Sequence, residues 1–179
     1  MEWKELRRIV TGHDEAGLSV VMFDGPPSNA NERNGAGIAQ IWATDSSPVN
    51  NQTEGDAALR KVRLALSPSG SLFWLCKVAP GGAASADAQR DAAKALERFG
   101  AADAIRPAGG RPDMHATRTL DYAVVLAGEI TLILDQGEVT LKPFDTVVQR
   151  GTNHTWENRG TEPALIAFVL LDAQPVTAV

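Results

Sequence analysis

The chain has 179 residues, a single cysteine and a formal net charge of −5, from 17 Lys and Arg against 22 Asp and Glu. A chain of this size buries enough surface to need no disulfide staples, and one cysteine forms no internal bridge, so one core over residues 1–179 is expected, with Cys76 a core thiol. The acidic balance argues against a nucleic-acid partner, because affinity for phosphates rests on Lys and Arg. No run approaches the ~20 apolar residues of a membrane span. The start, MEWKELRRIV, also lacks the apolar segment and small-residue site of a secretion signal, so cytoplasmic residence is the expectation.

In chain order, ELRRIV and LSVVMF flank TGHDEAG, which predicts a hairpin or bent connection with His13 on its surface. GPPSNANERNGAG reads as a loop by composition, and GIAQIWAT as a strand. Residues 45–56, with their serines, asparagines, Pro48 and Gly55, are again loop. ALRKVRLAL alternates imperfectly, SPSG is a turn and SLFWLCKVAP is a strongly apolar strand. NERNGAG has neither the flanking pattern nor the Gly-Lys-Ser/Thr ending of a phosphate loop.

Residues 84–99 carry the helix formers, with Ala88, Ala92, Ala95, Leu96 and Phe99 on one side. Ser85 is placed to cap the start and Gly100 to stop the end. Its mainly alanine face suits a packing helix on the surface or a cover over a pocket.

The last third is β-rich: LDYAVVLAG, EITLILD, EVTLKPFDTVVQR and ALIAFVLL, with DQGE as a tight turn. Ile130, Leu132 and Leu134 make one face of their strand wholly apolar. Many short strands, one helix and turn-rich joints predict an all-β barrel or jelly roll.

Three residues group as candidate ligands: His115, Asp121 and His154. The first two are six apart, an even spacing that puts both on one face of a strand. Two imidazoles and a carboxylate make a facial site for Fe(II), Mn(II), Co(II) or Zn(II) with open positions. The alternative reading is two surface histidines and a strand-capping aspartate.

The same residues resemble the two motifs of the cupin superfamily. GGRPDMHATRTLDYAVVLAG approaches G-x5-H-x-H-x3-4-E-x6-G, with Gly109, His115, Asp121 and Gly128 at the matching places and Thr117 where a second histidine is usual. KPFDTVVQRGTNHTWEN approaches the second motif through Gly151, His154 and Asn158; Gln149 replaces the usual proline, and Phe144 stands where glycine is common. Within the superfamily the chain resembles a bacterial group of small single-domain proteins. The resemblance implies a cupin jelly-roll β-barrel, with a motif-bearing core over about 60–171, an N-terminal strand extension over 1–45 and one inserted helix. It also implies a divalent metal ion (Fe, Mn, Co, Ni or Zn) on His115, Asp121 and His154, a small organic substrate and a homodimer.

On that reading the protein is a metal-dependent enzyme, an oxygenase (a dioxygenase where the metal is iron), lyase or isomerase. The metal activates water, a substrate oxygen or dioxygen. Thr117 would bond a metal-bound water, Arg150 clamp a substrate carboxylate and Trp156 wall the pocket, while Tyr122 alternates to the other side. Against it stands a metal-free barrel that binds or senses a small molecule, and in third place a purely structural protein.

Overall fold

The computed structural model of the protein describes residues 2–52, 55–81, 83 and 85–175. Eleven strands and one α-helix follow each other along the described chain. The first two, β1 (Arg8–His13) and β2 (Ser19–Gly25), pair as the expected hairpin, with Arg8 opposite Gly25 and His13 opposite Ser19.

The segment read as loop instead contains a strand, β3 (Asn29–Arg33), antiparallel to β4 (Ala36–Thr44). Asn34 and Gly35, both at positive φ, make the two-residue turn between them. Asn-Gly is the strongest short hairpin signal, and here it outweighs the polar composition of β3. The imperfectly alternating ALRKVRLAL forms no strand: a single 3-10 turn at Ala57–Leu59 leads into an irregular strap, followed by β5 (Ser71–Val78).

The helix α1 spans Ala86–Arg98, with Ser85 Oγ accepting the Ala88 N–H; Ala84 of the expected range lies outside the described residues. Gly100, at φ 74°, ends it: its N–H reaches Glu97 O and the next, from Ala101, reaches Leu96 O, the paired bonds of a Schellman cap. Leu96 is buried, and the alanines and Phe99 beside it are half-buried, so the face read from the sequence is the packed one.

The last third gives β6 (Thr119–Ala127), β7 (Ile130–Leu134), β8 (Glu138–Leu141), β9 (Thr146–Arg150), β10 (His154–Glu157) and β11 (Ala164–Asp172). Gly128 between β6 and β7 sits at φ 72°, and a Cβ there would lie 2.6 Å from Pro163 O, so only glycine fits. Phe144, in the place where glycine is common, has φ 75°.

The expectation of a closed barrel is corrected. The strands form a six-stranded sheet in the order β3-β4-β5-β11-β6-β9, a three-stranded sheet β10-β7-β8 and the separate β1-β2 hairpin, and among the described residues no ladder closes them into one cylinder. The two larger sheets share one core, in which Trp74, Phe168 and Ile166 meet Ile130, Leu132 and Leu141. Val62 and Leu64 from the strap and Leu96 from α1 fill the same core. Irregular chain and helix stand where a closed barrel needs hydrogen-bonded strands, and their apolar side chains exclude water without a ladder. Cys76 packs against this core, and burial pushes its thiol up to about 12.

Candidate functional site

The two histidines are brought together. His115 and His154 exchange backbone hydrogen bonds of 2.9 Å in both directions, and their rings lie with centroids 4.3 Å apart and planes tilted by 46°. Each ring Nδ1 lies 2.9 Å from a carbonyl oxygen, Asp113 O for His115 and Thr152 O for His154. A carbonyl only accepts, so both Nδ1 atoms carry the proton and both Nε2 atoms keep a free lone pair. Burial lowers the pKa of both; for His154, burial and then the neighbouring His115 bring it to about 3. Both rings are therefore neutral acceptors at pH 7.

Gln149, in the usual proline position, holds the loop before His154 by donating from Nε2 to Thr152 O at 3.1 Å and to the Thr152 hydroxyl. Asn158 is a structural clamp: it donates to Val78 O and Glu162 O and accepts from Gly160 N–H.

Asp121 arrives on the other sheet. It is paired with Gln149 across β6 and β9, 6% exposed, and its Oδ1 has no hydrogen-bond partner among the described residues. Burial pushes its carboxyl up to about 6, only partly offset by the Thr119 hydroxyl. Trp74, on the inner face of β5 and 8% exposed, likewise has an unpartnered Nε1. Thr117 is half-buried, its hydroxyl 2.7 Å from that of Thr119. Trp156 is half-buried against the core, edge-on to His154 at 6.2 Å and to Phe168 at 5.5 Å. Arg150 is exposed, on the opposite side of β9 from buried Gln149, so it faces away from this group.

Among the described residues no group of three or more His, Cys, Asp or Glu side chains is arranged to hold a metal ion. This overturns the expected His115–Asp121–His154 centre, its divalent ion and the metal-dependent oxygenase, lyase or isomerase built on it. The even spacing of His115 and Asp121 does not apply, because β6 begins only at Thr119 and His115 belongs to a bridge with β10 of the smaller sheet. Thr117 stands where a further imidazole would have strengthened the pair. Two neutral nitrogens alone are a poor cage for a divalent ion.

Reasoning from sequence missed two features. One is Trp74 as an inward-facing donor, hidden inside an apolar run. The other is the network behind the histidine strand, where Arg111 pairs with Asp113 at 3.0 Å and with Glu157 at 2.5 Å, and Thr155 Oγ1 donates to Asp113 at 2.7 Å. The alternation of His154 and Trp156 with Thr155 and Glu157 was the available signal.

A family profile described as a cupin domain matches residues 104–170. Two proteins of Diaporthe leptostromiformis, the phomopsin biosynthesis cluster proteins C' and D, are each 36% identical to the chain over 98% of its length and 84% of theirs. A cupin-domain-containing oxidoreductase of Hypocrea virens is 43% identical over 35% of this chain and 34% of its own. The protein belongs to the cupin superfamily. These relatives are fungal, which corrects the expected kinship with a specifically bacterial group.

Proposed function

We propose that the protein binds a small, hydroxylated organic molecule between its two larger sheets, without a metal ion. The observation that carries this reading is the unpartnered Oδ1 of buried Asp121 on the inner face, with the unpartnered Trp74 Nε1 in the same interior. A buried polar atom left unpaired costs ~1–3 kcal/mol, which a ligand group returns on binding. At neutral pH the two Nε2 atoms and the Asp121 carboxylate only accept, so a ring or chain bearing hydroxyl donors fits them. Half-buried His115 and Thr117 leave the group reachable from solvent. Cupin proteins generally bind small organic molecules, and the names of the Diaporthe relatives support an intermediate of a biosynthetic route as the natural ligand.

Resorcinol, a neutral diol, tests the site. It should raise the melting temperature of the wild type and lose that effect in H154L and in D121L. No shift in the wild type with resorcinol or related diols, or an equal shift in both variants, overturns the reading.

A second copy of the chain is the proposed partner. Trp42, Phe73, Val169, Tyr122 and Val148 lie in register across five strands on the outer face of the six-stranded sheet, with Phe73, Tyr122 and Val148 exposed. The chain exposes 10533 Å², against about 8,400 Å² for a compact monomer of this mass. The excess exceeds the roughly 800 Å² per partner of a standard interface. Light scattering should give a dimer for the wild type and a monomer for F73K/Y122K; a monomeric wild type removes the pairing.

A further inference from the structure

The strap after the 3-10 turn is held by more buried polar chemistry than an irregular surface segment needs. Gln40, 1% exposed, donates from Nε2 to both Ala58 O and Arg60 O at 3.0 Å. Asn29 Nδ2 donates to the same Arg60 O at 2.7 Å. Asp56 accepts the Ala58 N–H at 2.9 Å and pairs with buried Arg8 at 2.5 Å, with Ser28 Oγ donating to it at 2.7 Å. Further along, Leu64 N–H bonds Phe99 O at 3.0 Å and ties the strap to the end of α1. Val62 and Leu64 point into the core, so Lys61 and Arg63 between them point out.

Two adjoining clefts flank this fixed backbone and share Arg60 and Lys61. The larger, about 540 Å³, also has Arg98 and Phe99 from the end of α1 and exposed Leu59 on its wall. The smaller, about 250 Å³, has Arg63, Ala65 and Leu66. Among the described residues Asp45 is the one acid on either wall, and it is paired with Arg60. Lys61, Arg63 and Arg98 have no carboxylate partner among the described residues. Three free cations thus converge on a chain whose net charge is −5. The negative end of α1, worth about half a charge, is too small to cancel them.

We propose that these clefts are a second binding site, for an organic anion with an apolar body and one or more carboxylate or phosphate groups. The apolar body lies along Leu59 and Phe99, and the anionic groups meet Lys61 and Arg98 in one cleft and Arg63 in the other. The buried amides and the Arg8–Asp56 pair fix the strap before the ligand arrives, which lowers the ordering cost of binding.

Calorimetry with three probes tests the site: phthalate, phenyl phosphate, and neutral benzamide as control. Phthalate or phenyl phosphate should bind and weaken with added salt, and benzamide should not. The tighter of the two anions names the source of the charge. K61Q/R98Q changes exposed side chains and should fold; it should lower anion affinity about tenfold or more, since a charge-assisted hydrogen bond contributes ~1.5–3 kcal/mol. Resorcinol, which reads the inner site, should stabilise wild type and K61Q/R98Q alike; a wild type blind to resorcinol fails the inner reading and leaves this one standing. The proposal is overturned if neither anion binds, if K61Q/R98Q binds as tightly as wild type, or if benzamide binds equally well. Loss of resorcinol together with phthalate in K61Q/R98Q also overturns it, because the two sites are then one.

Discussion

The inner face and the strap treat polar groups in opposite ways. Inside, His154 and Asp121 are buried and His115 is half-buried, and desolvation shifts each toward its neutral form. At the strap most of the buried groups are bonded, Arg8 Nε being the exception among the described residues, and they support cations that stay in solvent. With two neutral imidazoles and a carboxylate still ionised at pH 7, the inner site offers acceptors and suits hydroxyl donors, whereas the strap suits anions. The two regions thus carry two chemistries, set apart by burial as well as by residue type.

The largest break in that comparison should come at the support of the strap. Removing one member of the buried Arg8–Asp56 pair leaves a charge uncompensated, so R8M or D56N should cost about 3–5 kcal/mol in urea unfolding. Arg8 holds the Asp56 carboxyl down at about 2, so that contribution is present above pH 4 and is lost as the pH falls through 2. A loss under about 1 kcal/mol would mean that the strap needs no such anchor.

The inner groups should show next, as two opposed pH dependences. His154 has a lowered folded pKa, so its neutral burial stabilises above pH 6.5 and is lost as the pH falls toward 3, roughly 3 kcal/mol by pH 4.5. Asp121 has a raised folded pKa, so its penalty grows as the pH rises from about 4 to 6 and stays at roughly 3 kcal/mol above that. The wild type should therefore have a shallow profile between pH 7 and 4.5. D121N should be the more stable protein at pH 7.5, about equal to wild type at pH 4, and should expose the histidine loss; H154Q should become more stable on acidification. Identical slopes in all three proteins would remove the desolvated pair.

A smaller effect is expected at Trp74. W74F deletes the unpartnered Nε1 and keeps most of the packing against Phe99 and Phe168, so stability should change by about 1 kcal/mol or less. Its resorcinol response should fall. The smallest expected signal is metal: elemental analysis of untagged protein should find Fe, Mn, Co, Ni and Zn well below one equivalent. One equivalent that disappears in H154A would restore the metal centre.

Much of the fold could be read from residue order. The caps Ser85 and Gly100 bounded the helix, and alternation in EITLILD and the run ALIAFVLL marked β7 and β11, because these signals act within a few residues. β3 was hidden because its side chains are polar and its pairing partner carries the apolar pattern. The pairing of His115 with His154 and the placing of Asp121 on the opposite sheet were out of reach for a different reason. Which strand a lead-in residue joins depends on contacts between segments tens of residues apart.

The sequence by itself determined a β-rich chain with one capped helix, the cupin motif positions and the absence of a second histidine at Thr117. Local sterics, periodicity and side-chain chemistry suffice for these. Only the tertiary structure decided that the sheets stay open, that the histidines are neutral acceptors and that Lys61, Arg63 and Arg98 share one region. Closure, desolvation and convergence are properties of distances between remote segments, and packing of the whole core sets those distances.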